Sequence, residues 1–136
     1  MLSNNWIRTK LFYKKGVAME SLYNKYGGFE TVSKVVHDFY DKLLVSDTFK
    51  PYFEDVDAQR VMDHQTKFFC DIMGGPIAFK GRTLAQIHAG MNIADEAYEE
   101  MSGLLEETLE DHGLEGGDVN TIMMIVADVK DQIVGQ

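Results

Sequence analysis

The stretch Thr83-Leu-Ala-Gln-Ile-His88-Ala-Gly-Met-Asn-Ile93 sets one histidine on the apolar side of a short helical run that stops at a glycine. Leu84, Ile87 and Ile93 give His88 dry surroundings. A neutral imidazole so placed suits an iron ligand, although a histidine near apolar residues is more often a hydrogen-bonded core residue. The stretch alone leaves both readings open, and its neighbours decide between them.

Working outward, two upstream stretches also carry polar groups on apolar faces. In Val35-Val-His-Asp-Phe39-Tyr40, the residues Val32, Val35, Val36, Phe39, Tyr40 and Leu43 recur at helical spacing and share a buried face, while Lys34, Asp38 and Asp41 point to water. Tyr40 therefore aims a hydroxyl inward, either at a backbone carbonyl or at a bound group. In Arg60-Val61-Met-Asp-His64-Gln65-Thr-Lys-Phe68-Phe69, the residues Val61, His64, Gln65, Phe68 and Ile72 fall at steps of three and four. A buried glutamine without a partner costs about 1 to 3 kcal/mol, so His64 and Gln65 are either exposed or used.

The remaining punctuation is helical. A short turn from Glu20 to Lys25 stops at Tyr26-Gly27-Gly28, where paired glycines admit positive φ. Ser46-Asp47 are expected to cap a short segment interrupted by Pro51, and Asp57 opens the next helix, which Gly74-Gly75-Pro76 ends. The irregular stretch to Gly81 leads into the His88 turn. Asp95 and Glu96 favour a helix N-terminus through the macrodipole, Tyr98, Met101, Leu105 and Leu109 form its stripe, and His112-Gly113 close it. Gly117-Asp118 start a last helix lined by Val119, Ile122, Val126, Val129 and Ile133. Apart from the glycine hinges, everything reads as helix.

A chain of 136 residues is a single-domain size that can bury about two-thirds of its unfolded surface. Thirteen basic residues against 22 acidic ones give a formal charge of −9, which repels nucleic acid and anionic membrane. Cys70 is the one cysteine, so no internal disulfide forms; with no apolar run of about 20 residues for a membrane span and no signal-like segment, a cytoplasmic location is expected. Residues 1–18 differ from the rest: Arg8, Lys10, Lys14 and Lys15 meet no acid there. Leu2, Trp6, Ile7, Leu11 and Phe12 could build an amphipathic helix lying on the protein or on a membrane surface, or Met19 could be the natural start. We read 1–18 as an N-terminal extension and 19–136 as the domain.

Taken in order, Leu22-Tyr23 with Tyr26-Gly27-Gly28, Phe39-Tyr40, Tyr52-Phe53, His64-Gln65 with Phe68-Phe69, Gly74-Gly75-Pro76 and His88-Ala-Gly resemble a group I truncated haemoglobin from about Ser21 onward. Each motif is weak; their order and spacing make the match specific. The resemblance implies an all-α, truncated 2-over-2 globin fold with an N-terminal extension, and haem b as cofactor. It implies His88 as proximal iron ligand, Phe53 as the aromatic against the porphyrin, and Tyr40 and Gln65 as distal donors to a polarised gas. Val61 stands where full-length globins often have a distal histidine, which moves the hydrogen-bonding duty to Tyr40 and Gln65. Arg60 matches a position that reaches a haem propionate, or is a solvated arginine. Phe69 matches a tunnel-lining residue, or is ordinary core. His64 is a candidate sixth ligand, with a propionate contact as its alternative.

The implied function is reversible binding of dioxygen, nitric oxide and carbon monoxide. Two uses follow: an enzyme-like nitric oxide dioxygenase yielding nitrate, or a module that stores or senses a gas. The chain carries no recognisable flavin or nucleotide motif, so turnover calls for a separate reductase.

Overall fold

The computed structural model describes residues 21–76 and 88–135. The segment 1–18, Leu84 and Ile87 lie outside the described residues. Among the described residues there are six α-helices: α1 (Leu22–Lys25), α2 (Phe29–Leu44), α3 (Lys50–Phe53), α4 (Ala58–Ile72), α5 (Asp95–Asp111) and α6 (Gly116–Asp128), then a 3₁₀ turn, Lys130–Gln132. None is long and apolar enough to cross a membrane.

Helix α2 is the keystone. It buries Val32, Val35, Val36, Phe39, Tyr40 and Leu43, the stripe expected from spacing, and packs against both α4 and α5. Helix α5 in turn packs on α6, so α2 with α4 forms one pair and α5 with α6 the other. The buried faces of the second pair are Ala97, Tyr98, Leu105, Thr108 and Leu109 on α5, and Asp118, Val119, Thr121, Ile122, Ile125 and Val126 on α6.

The connections follow local chemistry. Ser21 caps α1, its Oγ accepting from the Asn24 N–H at 3.1 Å, and Asp57 caps α4 by accepting from Arg60 N–H at 3.3 Å. Gly74 takes φ +84° beyond α4. At Gly75 a Cβ would sit 2.7 Å from the Tyr23 ring and 2.9 Å from the Cys70 carbonyl, so only glycine lets α1 lie against this end of α4.

Four details differ from the reading of the sequence. Helix α1 starts at Leu22 and α6 at Gly116. Ser46 and Asp47 do not cap α3 with side chains: its N-cap is Phe49, while Ser46 Oγ donates to Glu100 at 2.7 Å and Asp47 pairs with Lys50. Pro51 sits in the first turn of α3, where its missing N–H costs nothing. The last helix stops at Asp128, and beyond the 3₁₀ turn Val134 makes an isolated parallel β-bridge with Ile93, so the chain is not helix throughout.

Candidate functional site

The α2 stripe carries Tyr40 into the interior, where it is 5% exposed. Its ring meets Phe39 edge-on at 5.5 Å and Phe53 of α3 at 5.9 Å. Burial pushes its phenol well above the ordinary range, so the hydroxyl keeps its proton and stays a donor. Among the described residues nothing hydrogen-bonds to that hydroxyl, which leaves it able to donate to a group brought beside it.

Beyond the Tyr40 rings, several apolar side chains are incompletely covered: Phe53, Val61, Phe68 and Ile93 pack against the core but are only partly buried. Gln65 is likewise half-buried, one turn beyond Val61 on α4. Half-buried too is His88, whose carbonyl accepts from Met91 N–H at 3.1 Å as the chain turns toward α5. Arg60 and His64 are exposed, so His64 does not share the inward side with Gln65. Successive helical residues are about 100° apart, enough to turn one of an adjacent pair to water. Phe69 is buried, edge-on to Phe68 at 5.8 Å.

The residues fit a large flat apolar cofactor with a polar rim. A buried phenol without partner, a half-buried amide, partly covered aromatic and aliphatic side chains and a half-buried imidazole match the needs of a haem. Cys70 has no part in it: it is fully buried, and burial followed by the neighbouring Asp71 charge pushes its thiol up to about 11, which keeps it protonated and inert.

Sequence reasoning missed the polar ties that frame the site. Lys25 reaches Asp118 at 2.7 Å and Glu115 at 3.0 Å while Tyr26 donates to Asp118, joining α1 to α6. Between α2 and α5 run Lys42 to Asp111 at 2.9 Å and His112 to Asp38 at 2.6 Å. Tyr98 donates to the Val126 carbonyl. The polar residues themselves were visible in helical faces, but partners far away in sequence leave no periodic signal.

The sequence model of the bacterial-like globin family matches residues 21–134. A group 1 truncated hemoglobin from Tetrahymena pyriformis is 28% identical over 121 residues, covering 86% of this chain and 97% of that protein. One from Synechocystis sp. is 32% identical over 98 residues, covering 72% and 65%. Among solved structures, the Tetrahymena pyriformis truncated hemoglobin in its Fe(III) form superposes with a TM-score of 0.80 at 26% identity, covering 86% of this chain and all of that one (100%). Chlamydomonas reinhardtii THB1 gives 0.73 at 27% identity, covering 85% and 97%.

Proposed function

Because the chain belongs to the bacterial-like globin family, with a 2-on-2 truncated haemoglobin fold and haem b as cofactor, we propose that it binds dioxygen and other diatomic gases reversibly at a haem held by His88. The observation that carries this reading is the buried phenol of Tyr40, a donor with no partner among the described residues. The haem supplies the iron and its redox chemistry. The protein supplies the rest.

His88 offers a neutral imidazole on the proximal side. Phe53, Val61 and Ile93, partly buried against the core, would cover a porphyrin and exclude water, which would strengthen every polar contact made inside. Tyr40 presents its O–H and Gln65 its amide N–H to a gas that gains partial negative charge, and both slow its escape. Val61, having no hydrogen-bonding group, leaves that task to them. Arg60, exposed at the start of α4, is suited to a propionate at the haem edge, as Phe69 is to the wall of an apolar passage.

The enzymatic form of the proposal is nitric oxide dioxygenation, in which a bound ferrous haem would supply the one electron needed for dioxygen and nitric oxide to combine to nitrate. A separate reductase then restores that electron, and a cytoplasmic setting with Cys70 kept as a thiol suits both. Mixing the oxygenated ferrous protein with nitric oxide should yield stoichiometric nitrate. Oxygenated protein that survives nitric oxide unchanged would leave a storage or sensing module. Absence of a Soret band in protein reconstituted with haem would remove the whole reading.

A further inference from the structure

Beyond the gas site itself, we propose that residues 133 to 135 clamp the loop following His88, and that Ile93, Val134 and Gly135 are positioning residues which set the stance of the imidazole. The proposal rests on the reading of His88 as the iron ligand.

The loop from His88 to the start of α5 is short and conformationally committed. Met91 N–H closes a turn onto the His88 carbonyl, Gly90 takes φ +81° and Asn92 takes φ +53°. Asn92 is the only non-glycine residue with positive φ among the described residues. Asparagine is one of the few L-residues that enters the left-handed region at low cost, so the sequence itself commits this turn.

The hold comes next door. Ile93 forms the parallel bridge with Val134, and its carbonyl accepts from Gly135 N–H at 3.0 Å. Both side chains pack against the core, so the bridge is anchored and does not float at the surface. The same end of the molecule fixes the first turns of α5. Lys130 reaches Asp95 and Glu99, each at 3.0 Å, and Tyr98 is bonded to Val126. The side-chain bonds and the bridge described for 93 to 99 therefore lead to the segment 126 to 135, and a shift of that segment would be carried back through five residues to His88. A ligand held beforehand in its bound stance loses less freedom when the haem arrives.

Gly135 allows a clean test. It stands at φ +72°, and a Cβ there would meet nothing within 4 Å, so Gly135→Ala strains the backbone without a clash. Gly113 is its matched control, at φ +80° with equally open space, but at the far end of α5. With haem-loaded protein in the cyanide-bound ferric form, where any internal sixth ligand is displaced, the hyperfine-shifted ring protons of His88 report its stance. Gly135→Ala is expected to move those signals and to raise the rate of haem loss to an acceptor globin several-fold. Gly113→Ala should lower the thermal midpoint comparably and leave the signals in place. Lys130→Met, which frees the start of α5, should move them in the same direction by less. Unmoved signals and parental haem loss in both Gly135→Ala and Lys130→Met overturn the clamp, as does an equal shift in Gly113→Ala. Shifted ring signals that survive in His88→Gly would instead overturn His88 as ligand.

Discussion

Two tyrosines, Tyr98 of α5 and Tyr40 of α2, are buried to almost the same degree, 3% and 5% exposed. Burial raises both phenols, so both are donors at any physiological pH. Tyr98 spends its proton on the Val126 carbonyl, one of the last-turn carbonyls that a helix leaves open, and Lys130 lies over its ring at 5.9 Å. Tyr40 meets only ring edges. On the proposed function, the Tyr98 hydroxyl side of the molecule is thus finished by the protein itself, whereas the Tyr40 side would be finished by a cofactor and its gas.

The strongest way to break this contrast is to remove the group that brings the completing partner. His88→Ala is expected to abolish tight haem binding, read as loss of the Soret band on gel filtration. Unchanged, stoichiometric haem uptake would end the assignment. Next in size, Tyr40→Phe removes a donor that no described residue uses. We expect gas dissociation to quicken roughly ten- to a hundredfold, from the about 1.5 to 3 kcal/mol of a hydrogen bond to a charged acceptor. Thermal stability of the haem-free chain should hold, because no bond within the protein is lost. Parental dissociation rates in both Tyr40→Phe and Gln65→Leu would take the pair out of the distal site.

Tyr98→Phe should show the mirror image. It leaves the Val126 carbonyl without its donor in a buried setting, at a cost of about 1 to 3 kcal/mol. The thermal midpoint should drop while gas dissociation keeps its parental rate. If instead Tyr98→Phe altered gas kinetics as much as Tyr40→Phe, the division of the molecule into a finished and an unfinished side would not stand.

How far the sequence foretells this depends on the range of each interaction. The α2 stripe was fully legible, because all six buried residues recur at one helical period. So was the end of α5, where His112 caps and Gly113 takes φ +80°. The Ile93–Val134 bridge was not, since two residues far apart in sequence left no local pattern and the helical period seemed to run on through Ile133. Tyr40 and Tyr98 looked alike in sequence, each an aromatic on an apolar stripe. Their difference lies in whether another helix happens to end beside the hydroxyl, which only tertiary structure decides. The group I resemblance supplied candidate site residues that no local pattern could, but it did not foresee that His64 and Gln65, adjacent in sequence, would divide between an exposed and a half-buried position.

That division sharpens the comparison through its smallest expected effect. The buried residues of α4 all lie in its second half, Thr66, Phe69, Cys70, Asp71 and Ile72, while in the first half Arg60 and His64 are exposed and Val61 is half-buried. A half-helix with little buried surface can swing at low cost. We propose that His64 uses this freedom to serve as a reversible sixth ligand when no gas is present, its alternative being a contact to a propionate from its exposed position. An internal ligand weakens apparent gas affinity by the fraction of open sites, about twofold when half are closed and about tenfold when nine in ten are. The ferric and unliganded ferrous spectra should then be mainly low-spin at neutral pH. His64→Leu should turn them high-spin, speed gas binding and leave the thermal midpoint near the parent, because an exposed side chain on the loose half of α4 supports little of the core. High-spin iron in the parent would assign His64 to the haem edge, and a low-spin spectrum that persists in His64→Leu would point to another donor on the unfinished side, with Tyr40 the first to test.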